Sequence, residues 1–147
     1  MEEPMRMSGH QNTRIADWIR INAAARPDRI CFVTERESYT FARVNSRVNS
    51  VANAMQQVGV GRGDRVALFA TDSVAYVETL LATMKLGAVC VALNFRLAQP
   101  ELQTMLAAAE PKALFFSDRY TGMVRAVDVP GIKLHVSYDS DTGDKSY

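Results

Sequence analysis

Four short apolar runs decide the fold: RVALFA (residues 65–70), AVCVAL (88–93), KALFF (112–116) and KLHVS (133–137). Each is too short for a helix and too continuously apolar for a strand with one wet face. Runs of this kind are strands buried on both sides, as in a parallel sheet. The text between them is helical. Ser73 to Lys85 carries Val74, Val77, Leu80, Leu81 and Met84 at helical spacing, follows the capping triplet Thr71-Asp72-Ser73 and stops at Gly87. Pro100 to Ala109 opens with proline in the first turn and an early Glu101, then presents Leu102, Met105 and Leu106. Asp118 to Val127 reads as a weaker helix. The order β-α-β-α-β-α-β with short connections predicts an α/β fold, a doubly wound parallel sheet with flanking helices.

Working back toward the N-terminus, Phe41, Val44, Val48, Val51, Met55 and Val58 form the cleanest stripe in the chain, at steps of 3, 4, 3, 4 and 3. Thr40 is placed to cap that helix and Gly59 to end it. Before it, Ile30 to Thr34 and Ser38 to Thr40 flank the charged turn Glu35-Arg36-Glu37, which predicts a small hairpin. An earlier helix starts near Thr13, shows Ile15, Trp18, Ile19 and Asn22 or Ala23 on one face, and ends at Arg26-Pro27. Residues 1–12 read as a flexible N-terminus, 13–136 as one folded unit, and 137–147 as a polar tail or truncated continuation.

Composition excludes several classes. The chain has 147 residues, 48% hydrophobic and 22% charged, with 17 basic against 16 acidic side chains. Such a length buries roughly 70% of its unfolded surface, enough for a core. The charge balance provides no general field for nucleic acid, and no apolar stretch is long enough to span a membrane. Cys31 and Cys90 lie far apart in apolar runs, without zinc-ligand spacing, and read as reduced core thiols of a cytoplasmic protein.

The chemistry-bearing motifs are sparse. Gly59-Val-Gly61-Arg-Gly63-Asp64 has the composition of a phosphate loop, but it follows a helix and enters a strand, so it reads as a structural turn. Gly143-Asp144-Lys145-Ser146 lacks a strand–loop–helix frame. His10 and His135 have no ligand-spaced partners, and no serine sits in a nucleophile elbow. Asp72 and Glu78, near the start of a helix, are assigned to capping and dipole effects. Arg96 in LNFRLAQPEL differs, because it lies just past the carboxyl end of a predicted parallel strand, where open α/β sheets bind ligands. Its guanidinium suits a phosphate; a solvated loop position or an ion pair with Glu101 is the plainer alternative.

A series of segments at regular order and spacing then carries a resemblance: ARPDRICFV (25–33), SYTFARVNS (38–46), GVGRGDRVALF (59–69), LGAVCVALNFR (86–96) and AQPEL (98–102). The series resembles the N-terminal part of the acyl-CoA synthetases, the fatty-acid-CoA ligases of the adenylate-forming (AMP-binding) superfamily, over about residues 13–136. Departures are local: Phe41 for tyrosine, Arg43 for an acidic residue, Thr71-Asp72-Ser73 for Pro-Asn-Ser, Ala92 for proline and Gln99 for a capping threonine. The resemblance implies the N-terminal subdomain of the acyl-CoA synthetase-like fold. In the intact enzyme it implies ATP, Mg and coenzyme A acting on a fatty acid or other carboxylic acid. It places Arg96 at a position that contacts a coenzyme A phosphate in some relatives. It assigns no catalytic residue and no metal ligand to this chain, which is therefore expected to be catalytically incomplete and to work with the remaining ligase subdomains. Self-association, a non-catalytic interaction module, a fragment of an aryl-acid-CoA ligase or other adenylating enzyme, and a small autonomous nucleotide-binding protein are the competing expectations.

Overall fold

The computed structural model describes residues 14–138. The predicted N-terminal segment with His10 and the predicted tail beyond Tyr138, including the Gly143 run, lie outside the described residues.

Helix α1 (Ile15–Ala25) leads to a hairpin of β1 (Ile30–Val33) and β2 (Ser38–Thr40), then to α2 (Phe41–Gln57). The turn is held by Thr34, whose Oγ1 accepts the N–H groups of Arg36 and Glu37. Thr40 caps α2 through Arg43 N–H, as its sequence position predicts. The predicted stripe of α2 is the buried face: Phe41, Val44, Val48, Val51 and Met55 are all in the core. Trp18 of α1 meets Phe41 edge-on at 5.5 Å.

The remaining elements alternate as β3 (Arg65–Phe69), α3 (Val74–Lys85), β4 (Val89–Ala92), α4 (Gln99–Ala109), β5 (Ala113–Ser117), α5 (Thr121–Arg125) and β6 (Leu134–Tyr138). The four strands form one sheet in the order β4-β3-β5-β6, every pair parallel. Alternation along each central strand feeds two cores. Val66, Leu68, Ala113 and Phe115 face α1, α2 and α3. Ala67, Phe69, Leu114 and Phe116 face α4 and α5. The sheet is doubly wound, as expected.

Three expectations need correction. Only β3 and β5 are buried on both sides; β4 and β6 are edge strands, and Val89 is 51% exposed. The helix expected over Asp118–Val127 is a 3₁₀ turn at Asp118–Tyr120 followed by the short α5. In α3 the buried face is Ala75, Glu78, Thr79, Ala82 and Thr83, whereas Val77, Leu80 and Met84 are half-exposed. The threonines of that face are satisfied one turn back, and the glutamate across the helix pair. Thr79 and Thr83 donate to the carbonyls of Ala75 and Thr79, at 2.9 and 2.8 Å, and Glu78 pairs with Arg47. Two smaller boundaries also move: β6 includes Ser137 and Tyr138, and α4 begins at Gln99 with Ala98 as its N-cap.

The amino end of the sheet is tied by side chains. Lys112 Nζ, just before β5, meets the Asp64 carboxylate at 2.8 Å, and Asp64 also accepts Gly61 N–H at 2.8 Å. Gly63 adopts φ +83°, a conformation that favours glycine, and donates its N–H to the Gly87 carbonyl. The Lys112 hydrogen bond, followed by that of Gly61, holds the Asp64 carboxyl below the usual carboxylate range. A depressed carboxylate contributes stability above its unfolded pKa and loses it as pH falls through the folded value. Asp64→Asn is therefore expected to be less stable than the parent at neutral pH and to close that gap below about pH 4. Urea midpoints measured across that range check it; a gap that does not depend on pH would contradict the assignment.

Candidate functional site

The strand order identifies where a ligand can enter. The chain steps from β3 out to β4, then returns past β3 to β5 on its other flank, while α3 and α4 lie on opposite faces. The loops leaving β3 and β5 therefore part from one another at the carboxyl edge, which makes the crevice of an open α/β sheet.

Three loops border it: Ala70 to Ser73 after β3, Leu93 to Ala98 after β4, and the turn after Ser117 of β5. Ser73 caps α3, accepting Tyr76 N–H at 3.1 Å. The substituted triplet Thr71-Asp72-Ser73 thus keeps its capping role. Thr71 N–H donates to Ser117 Oγ at 3.2 Å, which joins the end of β3 to the end of β5. Ser117 is itself buried.

Arg96 sits where the sequence placed it, exposed in the loop after β4. Its N–H donates to Asn94 Oδ1 at 3.0 Å, and its guanidinium carbon lies 5.4 Å from the Phe95 ring. Glu101, the alternative ion-pair partner, accepts Ala98 N–H at 2.7 Å in the capping of α4. Among the described residues, no carboxylate is in ion-pair reach of Arg96.

A second arginine, which the sequence reading did not single out, borders the same edge. Arg119 follows β5, reaches across to Thr71 Oγ1 at 3.4 Å, and lies 5.5 Å from the Tyr120 ring. Tyr120 in turn packs on Phe69 at 4.6 Å. Among the described residues Arg119 also has no carboxylate partner. The signal was present in SDRY directly after KALFF, by the same positional rule that selected Arg96.

The other sequence candidates are settled by location. The glycine turn 59–63 lies between α2 and β3, at the opposite end of the sheet from the crevice, so the structural reading of it holds. His135 is exposed on the edge strand β6. Cys31 and Cys90 are free, half-buried thiols whose pKa values burial pushes up, so neither is an activated nucleophile. Among the described residues there is no cluster of three or more His, Cys, Asp or Glu able to hold a metal. Glu78 is not a helix-start charge: it is fully buried, with Oε1 accepting Arg47 Nε–H at 2.7 Å. Its charge also helps raise the Cys31 thiol, after the larger effect of burial.

Comparison with known proteins agrees with this architecture. The chain is 30% identical over 135 residues to a medium/long-chain-fatty-acid–CoA/3-oxocholest-4-en-26-oate–CoA ligase of Mycobacterium marinum, covering 90% of this chain and 24% of that protein. It is 41% identical over 88 residues to a feruloyl-CoA synthase of an Amycolatopsis species, covering 60% of this chain and 18% of that protein. The chain thus spans about a quarter or less of these relatives. Its fold superposes on the N-terminal domain of FACL13 from Mycobacterium tuberculosis with a TM-score of 0.78 at 26% identity, covering 87% of this chain and 35% of that one. Residues 19–146, a span that holds all four strands of the parallel sheet, match the AMP-binding enzyme family, and the chain belongs to it.

Proposed function

We propose that this chain is the N-terminal part of a ligase that uses ATP to join a carboxylic acid to coenzyme A, with a fatty acid as the favoured substrate. The observation that carries the reading is the similarity over 90% of the chain to a protein named as a ligase of medium/long-chain fatty acids and of 3-oxocholest-4-en-26-oate with coenzyme A. A carboxylate is a poor electrophile. ATP activates it as an acyl-adenylate with loss of pyrophosphate, and the coenzyme A thiol then attacks the activated carbonyl.

The described residues fit only part of that reaction. They include neither a glycine-rich strand–loop–helix nor a metal-binding cluster, so no step through ATP phosphates or Mg is assigned to them. The carboxyl edge fits coenzyme A better: Arg96 is exposed, unpaired with any described carboxylate, and suited to a phosphate. The half-exposed stripe Val77, Leu80 and Met84 on α3, with Val89 on β4, fits a wall that the rest of the ligase covers. Two free cysteines and the lack of any membrane-spanning helix among the described residues fit a reducing, cytoplasmic setting.

The test joins residues 1–147 to the remaining segment of the Mycobacterium marinum relative. The isolated chain is expected to release no pyrophosphate from ATP, Mg and a fatty acid. The folded chimera is expected to form the coenzyme A thioester of a long-chain fatty acid faster than that of ferulate. Preference for ferulate would reassign the acid class. A chimera that is monodisperse and cooperative in unfolding, yet makes no thioester with either acid, would refute the ligase reading. Adenylate formed by the isolated chain would refute its incompleteness.

A further inference from the structure

A bare sheet edge is a template for another strand, and proteins blunt it with a charge, a proline or a bulge. β4 carries none of these. It reads VCVA, and its pairing with β3 runs without a bulge. The other edge strand, β6, is broken by the polar His135 and Ser137. The backbone shows which groups β4 has to offer. Val89 N–H donates to the Asp64 carbonyl at 2.7 Å and Leu93 N–H to the Leu68 carbonyl at 2.9 Å, both toward β3. Backbone groups alternate sides along a strand, so Cys90 and Ala92 turn their N–H and C=O groups to the open side. Among the described residues no strand pairs there. Ala92 is also the position at which the resembled segment has proline, which has no N–H to offer.

Helix α3 extends this surface. It meets α2 through Glu78 and Lys85, which pair with Arg47 and Asn49. Tyr76 and Leu80 lie on its opposite flank, toward the open side of β4, and both are half-exposed. Burial raises the Tyr76 hydroxyl above its usual pKa, with a smaller contribution from Cys90, which marks the ring as a neighbour of β4.

We propose that the open side of β4 pairs antiparallel with β4 of a second copy of this chain, about a twofold axis at Val91, so that the two four-stranded sheets become one. Cys90 of each copy then faces Ala92 of the other, and each such pair exchanges two N–H···O=C bonds. Neighbouring registers are poorer, because Ala88 N–H is already given to the Thr83 carbonyl and the Asn94 carbonyl already accepts Leu97 N–H. The occupant is a second copy because the edge complements itself. Its donors and acceptors stand symmetrically about Val91, and no charge in VCVA resists burial or repels its mate. The same axis sets the two α3 helices about 10 Å apart, two strand spacings, which is a helix-packing distance. Tyr76 and Leu80 of each copy then line the contact. Val77 and Met84 on the outer side of α3, and Val89 on the α4 face, stay clear of the axis. The pairing and the ligase wall therefore use different surfaces, apart from Leu80. The patch is small, so a dissociation constant on the order of 10–100 µM is expected, and the dilute chain keeps its edge open.

The test is sedimentation velocity on the 147-residue chain from about 5 to 500 µM, where a monomer–dimer equilibrium is expected. Ala92→Pro removes half of the new bonds and none within the fold, since the Ala92 N–H lies outside the β3 ladder. It is expected to weaken the dimer about tenfold and to leave the urea midpoint of the dilute monomer unchanged. Ala92→Ser keeps the N–H and should dimerise like the parent. Leu80→Glu sets like charges across the axis and should weaken the dimer by a similar factor. Should Ala92→Pro lower the midpoint of the dilute monomer, Leu80→Glu decides alone, and a dimer of parental strength in that variant overturns the pairing. A chain that is monomeric throughout, a ladder of higher oligomers, or a dimer that survives both Ala92→Pro and Leu80→Glu would each overturn it as well. Thioester formation by the chimera is scored separately, so the pairing and the ligase reading can fail independently.

Discussion

Arg47→Ala is expected to destabilise the fold by about 3 kcal/mol, the cost of leaving a buried carboxylate without its cation. Glu78 is 0% exposed on α3, while Arg47 on α2 keeps about a fifth of its side chain in solvent. The pair is therefore asymmetric. Removing the arginine strands a charge that water cannot reach. Removing the charge by Glu78→Gln leaves an arginine that can swing toward solvent, and should cost about 1–2 kcal/mol. The double replacement Arg47→Met with Glu78→Leu fills similar volume without any charge to desolvate and should lie within about 1 kcal/mol of the parent. Urea unfolding of the four proteins at neutral pH, at matched slopes, decides it. Equal losses for the two single variants would mean that the buried geometry of Glu78 is not what dominates. A double variant as unstable as Arg47→Ala would show that the pair stabilises the α2–α3 contact beyond its own charge balance.

That pair also marks where the sequence was readable and where it was not. The order of strands and helices was readable because apolar runs and apolar stripes each have one period, and the stripe of α2 from Phe41 to Met55 is buried as written. In α3 the same reasoning selects Val74, Val77, Leu80, Leu81 and Met84; Val74 and Leu81 do pack against the core, but the fully buried face is Ala75, Glu78, Thr79, Ala82 and Thr83. Hydropathy counts a threonine or glutamate as outward. It has no knowledge that Thr79 and Thr83 will satisfy their hydroxyls one turn back, or that Arg47, 31 positions away in sequence, will meet Glu78. Small and locally satisfied side chains let α3 lie close to its neighbours; Val74, Tyr76 and Leu81 pack at the margin of that core, while Val77, Leu80 and Met84 lie outside it. The site shows a related limit. The rule that ligands meet the carboxyl edge selects Arg96, but the switch point becomes visible only once β5 is known to pair with β3 rather than with β4. Until that pairing is fixed, Arg119 is one loop arginine among several.

Strand composition misleads in a similar way, and this gives the second large effect. AVCVAL and RVALFA read alike as text, yet Phe69 of β3 is 0% exposed and Val89 of β4 is half in solvent. Phe69→Ala is expected to cost about 4 kcal/mol, since it removes an aromatic ring from a packed core and leaves a cavity among Leu93, Leu102, Leu114 and Phe116. It also removes the surface beneath Tyr120, so the turn bearing Arg119 should lose order. Phe69→Leu keeps most of the volume and should cost about 1.5 kcal/mol. Val89→Ala, at the open edge, should cost under about 1 kcal/mol. The three values come from urea unfolding, with amide exchange of residues 117–121 reporting the turn. A Val89→Ala loss as large as that of Phe69→Ala would mean that β4 is covered in solution. The cover would then be a second copy of the chain if the loss grew with protein concentration, because dimer stability alone depends on it. A Phe69→Ala loss under about 1.5 kcal/mol would mean that the α4 face of the sheet is looser than its packing indicates, and the support proposed for Arg119 would go with it.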